Sequence, residues 1–202
     1  MAKSRKETME ENRARLLRAA RIAFADKGFA DASMDDFTAA AGLTRGALYH
    51  SFGDKRGLFA AVVNQIDGEM AARAKTSGAR AGSGWDALLS EGAAYIEMAL
   101  DPEVQRIVLR DGPAVLGDPS MWPSQSACLA ETLRTVERLV GAGVLKPVDT
   151  EAAARLLSGA ALNAALWVAA ADSPEARLPK ALEAFRLLAS GLLAEPRASG
   201  RG

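Results

Sequence analysis

The stretch Ser33–Phe52, SMDDFTAAAGLTRGALYHSF, constrains the fold more than any other part of the chain, because it stops one helix and starts another within three residues. Ser33 is a suitable N-cap, with Asp36 three residues on as a short capping-box partner, and Phe37, Ala40 and Ala41 recur at helical spacing on one face. Gly42 can take the left-handed conformation that closes a helix, and Thr44, just after Leu43, can cap a second helix beginning at Arg45. Leu48 and Phe52 give that helix an apolar side, leaving Thr44, Arg45, Gly46, Tyr49 and His50 to face outward. Two short helices joined this tightly have the geometry that presents the second helix to a DNA major groove.

The rest of the chain supports an all-α fold. Alanine is abundant, aromatic residues make up only 5%, and alternating β-branched runs are nearly absent. With 49% hydrophobic and 25% charged residues the chain is neither disordered nor fibrous, and 202 residues suffice for one domain or for a small domain fused to a larger one. The formal net charge is zero, but residues 1–60 hold eleven basic against eight acidic side chains, so that end is basic by roughly +3 and the remainder acidic by as much. Cys128 is the only cysteine, which rules out an intrachain disulfide and a cysteine zinc cluster. No apolar run reaches membrane-spanning length, and no signal-peptide core follows MAKSRKETMEENR, so the expected compartment is the cytoplasm, without a membrane partner.

In chain order, Met1–Lys6 reads as a short basic arm and Thr8–Lys27 as a helix with Leu16, Leu17, Ala20, Ala23 and Phe24 along one stripe, ended by Gly28. After the two short helices, Asp54 can cap a helix whose first turn carries Lys55, where an ammonium and free backbone N–H groups can bind one phosphate together. The small, turn-forming run Thr76–Gly84 marks a boundary. The expected division is therefore 1–53 for a helix-turn-helix domain, a linking helix from 54 to about 75, and 76–202 for a second helical domain.

Further on, Trp85–Leu100 is amphipathic, Asp101-Pro102 can start a helix to about Arg110, and Asp111-Gly112-Pro113 interrupts it. Ala114–Pro123 reads as loop or a short turn of helix, and Ser124–Gly141 as a long helix. Asp149 or Thr150 caps the next helix, almost wholly apolar or small from Ala152 to Ala171 and so buried on more than one side, one of which can be another subunit. Pro174–Ala194 forms a last helix, with its first regular turn waiting for Pro179. Two such apolar helices from each of two chains can make a four-helix interface.

The run Leu16–Phe59 resembles the N-terminal domain of the tetracycline repressor (TetR) family. The resemblance rests on Ala20, Phe24, Gly28, Phe29, Ser33, Met34, Ala41-Gly42-Leu43, Gly46, Leu48-Tyr49, Phe52, Lys55 and Leu58-Phe59 in this order and spacing. It covers about the first quarter of the chain and implies a three-helix DNA-reading domain, a helical effector-binding domain and a homodimer held by the last two helices. It also implies roles: Tyr49 as the aromatic at backbone or base, Lys55 as a phosphate anchor, Ser33 as a cap near a phosphate, Thr44 and Arg45 at DNA, and Gly46 allowing close approach. Ser51 stands where the family often shows tyrosine.

Arg45 can pair bidentately with guanine or contact phosphate alone, and His50, the only histidine, is placed at phosphate rather than at a metal, having no partner ligands. Gly82-Ser83-Gly84 and Gly141-Ala142-Gly143 each show G-x-G, but neither follows a strand, so no enzyme activity, cofactor or metal is expected. Trp85, Tyr95, Met98, Trp122, Asn163 and Trp167 are candidates to line a pocket for a small, mainly apolar effector, or else to pack the core or dimer interface. The expected function is a dimeric one-component transcriptional regulator, a repressor released from a near-palindromic double-stranded DNA operator by its effector. The alternatives are an effector-independent or activating DNA binder, and a small helical enzyme or binding protein.

Overall fold

The computed structural model describes residues 4–195. Among them the regular elements are all helical, with one isolated antiparallel bridge between Leu145 and Leu193. The α-helices are α1 (Arg5–Asp31), α2 (Met34–Ala41), α3 (Arg45–Phe52), α4 (Lys55–Ala81), α5 (Trp85–Glu97), α6 (Gly112–Leu116), α7 (Pro123–Gly141), α8 (Thr150–Ala169) and α9 (Pro174–Ser190). A single 3₁₀ turn at Met98–Leu100 and a π-helical segment at Val104–Asp111 lie between α5 and α6. The chain gathers into two compact units: one ends at Glu69 and takes in Asp101–Trp122, and the other starts at Met70, runs to Leu100 and resumes at Pro123.

The first unit is organised by aromatic rings. Leu16, Ala20 and Phe24 present a fully buried stripe on α1. Phe24 lies 5.0 Å from Phe37 of α2 and 5.0 Å from Phe59 of α4, and Phe59 lies 4.9 Å from Phe29. α1 begins three residues before the expected Thr8, because Ser4 and Glu7 form a reciprocal capping box, the Ser4 hydroxyl accepting from Glu7 N and the Glu7 carboxylate accepting from Ser4 N. Arg5 and Lys6 of the expected arm are therefore helical, and Met1–Lys3 fall outside the described residues. The helical dihedrals break at Gly28, where φ is 77°, as the glycine stop requires. On α2 the buried residue beside Phe37 and Ala41 is Thr38, not Ala40; its hydroxyl is satisfied by the Met34 and Asp35 carbonyls at 3.1 and 3.2 Å.

Residues 101–122 complete this unit through polar contacts. Asp101 caps the segment, accepting from Glu103 N and Val104 N. The Arg106 guanidinium lies against Gly28 and donates to the Lys27 carbonyl at 2.9 Å, while Asp111 accepts from Phe29 N at 2.7 Å. Arg21 of α1 donates to both carboxylates of Glu69 on α4 and Glu103, and this pairing holds its guanidinium pKa above the ordinary arginine value. Asp111-Gly112-Pro113 does not interrupt the chain's helical course: α6 starts there, with Pro113 in its first turn where no N–H is missed.

The second unit packs α8 against α5, α7 and α9. Val136, Leu139, Leu145, Ala153, Ala154, Leu157 and Ala189 form its core, and hydrogen bonds from Lys146 N to Leu192 O and from Ala194 N to Val144 O close the end of α9 onto the turn after α7. The Asp149 carboxylate, not Thr150, caps α8 by accepting from Ala152 N. α9 is regular from Pro174, with Pro179 accommodated inside it. The run Thr76–Ala81 continues α4 instead of breaking it; Gly78 is a packing glycine, since a Cβ there would lie 2.5 Å from Glu91 Cγ. Contrary to the sequence-based expectation, Thr150–Ala169 does reach membrane-spanning length and hydropathy, but it is packed among three neighbouring helices as a core helix.

Phe24→Ala removes the ring shared by α1, α2 and α4. It is expected to lower unfolding free energy by about 3–5 kcal/mol, read from urea denaturation.

Candidate nucleic-acid interface

α3 is held from below by its apolar side and left open on the other. Leu48 is fully buried, whereas Thr44, Arg45, Gly46, Tyr49 and His50 are all exposed, Tyr49 by 54%. At the helical repeat, Arg45, Gly46, Tyr49 and His50 share an arc of about 140°. The cap geometry agrees with the sequence: Gly42 is left-handed (φ 61°), and the Thr44 hydroxyl accepts from Ala47 N. Ser33 and Asp36 form the full capping box of α2. The Lys27 ammonium, 2.9 Å away, and the Ser33 bonds together hold the Asp36 carboxyl below its usual range.

Two of the expected DNA-contacting cations are engaged within the chain. Arg45 forms a bidentate pair with Asp35 of α2, through Nε at 2.7 Å and Nη2 at 2.5 Å, which lowers the Asp35 pKa and raises that of Arg45. Lys55 donates to the Ala30 carbonyl at 3.1 Å and lies over the Phe29 ring at 4.5 Å. Sequence reasoning missed Asp35, in the first turn of α2, as the partner of Arg45, in the first turn of α3. It also missed Arg13, which donates to the Ser51 carbonyl at 2.8 Å and covers the Phe52 ring, securing the end of α3 from α1. Gly57 has no room for a side chain: a Cβ would overlap the Phe52 carbonyl oxygen, so α3 and α4 meet at backbone distance.

The second unit contains a cavity of about 100 Å³, mainly apolar, between α4, α5, α7, α8 and α9. Of the six candidate pocket residues the structure brings Trp85 and Tyr95 to its wall, with Gln125 donating to the Tyr95 hydroxyl at 3.1 Å. The other four are placed elsewhere. Met98 is buried outside the cavity lining, and Trp122 is buried in the first unit against Gly112. Asn163 and Trp167 are exposed on α8, where Arg177 covers the Trp167 ring and donates to its carbonyl. Residues that the sequence did not single out, Lys75, Glu91, Glu131 and Phe185, line the cavity instead.

A capped helix pair with an open outer face, in a chain that also forms a helical unit with a cavity, is the arrangement of a helix-turn-helix DNA-binding regulator. The family model described as "Bacterial regulatory proteins, tetR family" matches residues 16–62, and that described as "Tetracyclin repressor-like, C-terminal domain" matches residues 85–192. The chain belongs to the tetracycline repressor (TetR) family of transcriptional regulators. It is 48% identical to a TetR-family transcriptional regulator from Pectobacterium atrosepticum of known crystal structure, with a TM-score of 0.86 over 96% of this chain and all of that one. It is 27% identical over 153 residues to the transposon Tn10 TetC protein of Escherichia coli, spanning 71% of this chain and 73% of that protein. RolR in complex with resorcinol shares the fold at 18% identity and a TM-score of 0.67, over 95% of this chain and 99% of that one.

Both partners are exposed and screened by solvent, so Asp35 holds Arg45 only weakly, and it also adds a negative charge beside the recognition helix. Asp35→Asn is expected to raise affinity for a DNA fragment selected from a random library by up to about fivefold at low salt, measured by fluorescence anisotropy.

Proposed function

We propose that this chain is a dimeric repressor that reads a near-palindromic operator with α3 and is released when a small, mainly apolar ligand occupies the cavity of the second unit. The observation that supports this best is the pairing, in one chain, of an exposed recognition face with a mainly apolar cavity. In this proposal residues 1–53 read DNA, α4 links through 54–75, and 76–202, apart from the 101–122 segment that packs in the first unit, bind the effector and dimerise. RolR, which has this fold, is known in complex with resorcinol, a small aromatic ligand, and this is consistent with an effector of modest size here.

Chain connectivity supplies the route for release. α4 starts in the DNA-reading unit and continues into the unit that holds the cavity. The segment 101–122 leaves α5 and enters α7, both of which contribute cavity walls, and is itself bonded to α1 through Arg106 and Asp111. A ligand that favours a state with mis-spaced recognition helices shifts the population away from the operator; equal affinity for both states shifts nothing. Two-fold symmetry sets the half-sites about 34–36 Å apart, or a multiple of this.

In this proposal the dimer forms through α8 and α9. Leu156, Leu187 and Leu188 are 72%, 73% and 64% exposed on these two helices, more apolar surface than an isolated subunit gains anything by presenting. The cytoplasm is the compartment in which such a regulator meets its operator.

Release is tested by measuring DNA affinity with and without members of a small-molecule library; a complete lack of sequence-selective binding in low salt contradicts the proposal at its root. At a bound site Arg45→Ala is expected to relax preference at one base pair, by about 1–3 kcal/mol, whereas Lys55→Ala weakens all sequences alike. Replacing Leu187 and Leu188 together by glutamate is expected to give monomers in analytical ultracentrifugation and to abolish operator binding at concentrations where the wild type is saturated.

A further inference from the structure

The cavity carries a feature that its apolar lining does not explain. Glu91 of α5 lies on its wall, half-buried, and among the described residues no side chain or backbone group donates a hydrogen bond to its carboxylate. The other charged side chains on the wall are Lys75 of α4 and Glu131 of α7, which form an ion pair with one another; Arg134, outside the lining, stands 4.0 Å from Glu131. The wall therefore has two carboxylates to one ammonium, and the ammonium is taken. Burial pushes the Glu91 carboxyl up, Lys75 pulls it the other way, and Glu131 adds to the rise.

The packing around this carboxylate is close. Gly78 leaves the room that Glu91 occupies, since a Cβ there would lie 2.7 Å from Oε1. One residue after Glu91, Gly92 leaves room for the Phe185 ring in the same way, and the ring lines the cavity together with Trp85 and Tyr95. A partly desolvated carboxylate without a partner is costly, and a cation restores what it has lost; aromatic faces attract the same charge.

We propose that this cavity takes a small organic cation, a protonated amine on an apolar body, with its charge at Glu91 and its body among the Trp85, Tyr95 and Phe185 rings. This rests on reading the cavity as the effector site. A neutral ligand can donate at most a hydrogen bond to this carboxylate and leaves its charge unbalanced, and an anion must displace Glu131 from Lys75 and approach Glu91 besides.

Three probes of one shape and different charge test the proposal: phenethylamine, phenethyl alcohol and hydrocinnamate, titrated calorimetrically into the full chain near neutral pH. Cys128, the only cysteine and a cavity-wall residue, reports occupancy through protection from iodoacetamide. The amine is expected to bind about tenfold more tightly than the alcohol and to protect Cys128, with hydrocinnamate weakest. Glu91→Gln is expected to erase the preference for the amine while leaving the affinity for the alcohol within about twofold. The proposal is overturned if the alcohol or hydrocinnamate binds as well as the amine, if none of the three protects Cys128, or if Glu91→Gln keeps the preference. The wild-type ranking does not depend on how the variant folds. Operator affinity, measured in the same solutions, separates the two readings. An amine that binds in this order without releasing DNA removes the effector role and keeps the cation site; release by a neutral or anionic compound seated at Cys128 removes the cation site and keeps the effector role.

Discussion

The Phe24 ring is the contact on which the DNA-reading unit depends. It touches rings from α2, from the end of α1 and from α4, each about 5–6 Å away, so three separately capped segments share one buried neighbour. None of α1, α2 and α3 is stabilised by a strong amphipathic pattern alone, and helices as short as α2 and α3, eight residues each, do not persist in water without tertiary support. Phe37 joins α2 to the aromatic cluster, and the buried Leu48 with the Arg13–Phe52 contact anchors α3, which leaves the outer side of α3 to carry polar and small residues.

Polar bonds then complete what the rings begin. Arg21 joins α1 to both α4 and the 101–122 segment, and Arg106 and Asp111 bond the backbone on either side of Gly28. These contacts sit where α1 loses its regular hydrogen bonding, so the segment satisfies groups that the helix break leaves open. The DNA-reading unit is thus larger than its three helices, and includes chain that returns from the neighbourhood of the cavity walls.

What was legible in the sequence follows from the range of each interaction. Caps and glycine stops act over three or four residues, and Ser33, Asp36, Gly42, Thr44, Asp54 and Asp149 were all readable as such; Ser4-x-x-Glu7 was equally local, but the basic residues around it read as an arm. The outward set on α3 follows from periodicity alone. Contacts between distant segments left no such trace: Arg45 with Asp35, Lys55 with Ala30, and Arg21 with Glu103 depend on how helices cross. The cavity was hardest to read, because size and aromaticity picked out Trp122 and Trp167, whereas its wall is set by helix crossing angles and includes Gly92, Ala161 and Ala189, whose contribution is the space they leave. In α8 the same ambiguity runs the other way: Asn163 and Trp167 stand on the side that the buried alanines do not use.

The backbone approach at Gly57 limits how α3 and α4 can move relative to one another. Because a Cβ there would strike the Phe52 carbonyl, the last turn of α3 and the first turn of α4 have no compressible layer of side chains between them. Arg13 of α1 also holds the Ser51 carbonyl, a second restraint on the end of α3. The last turn of α3 and the first turn of α4 are therefore coupled through backbone contact, not through a layer of side chains. Re-aiming the recognition face needs no change within α3 itself, only a second stable position for α4, the helix that continues out of the DNA-reading unit toward the cavity.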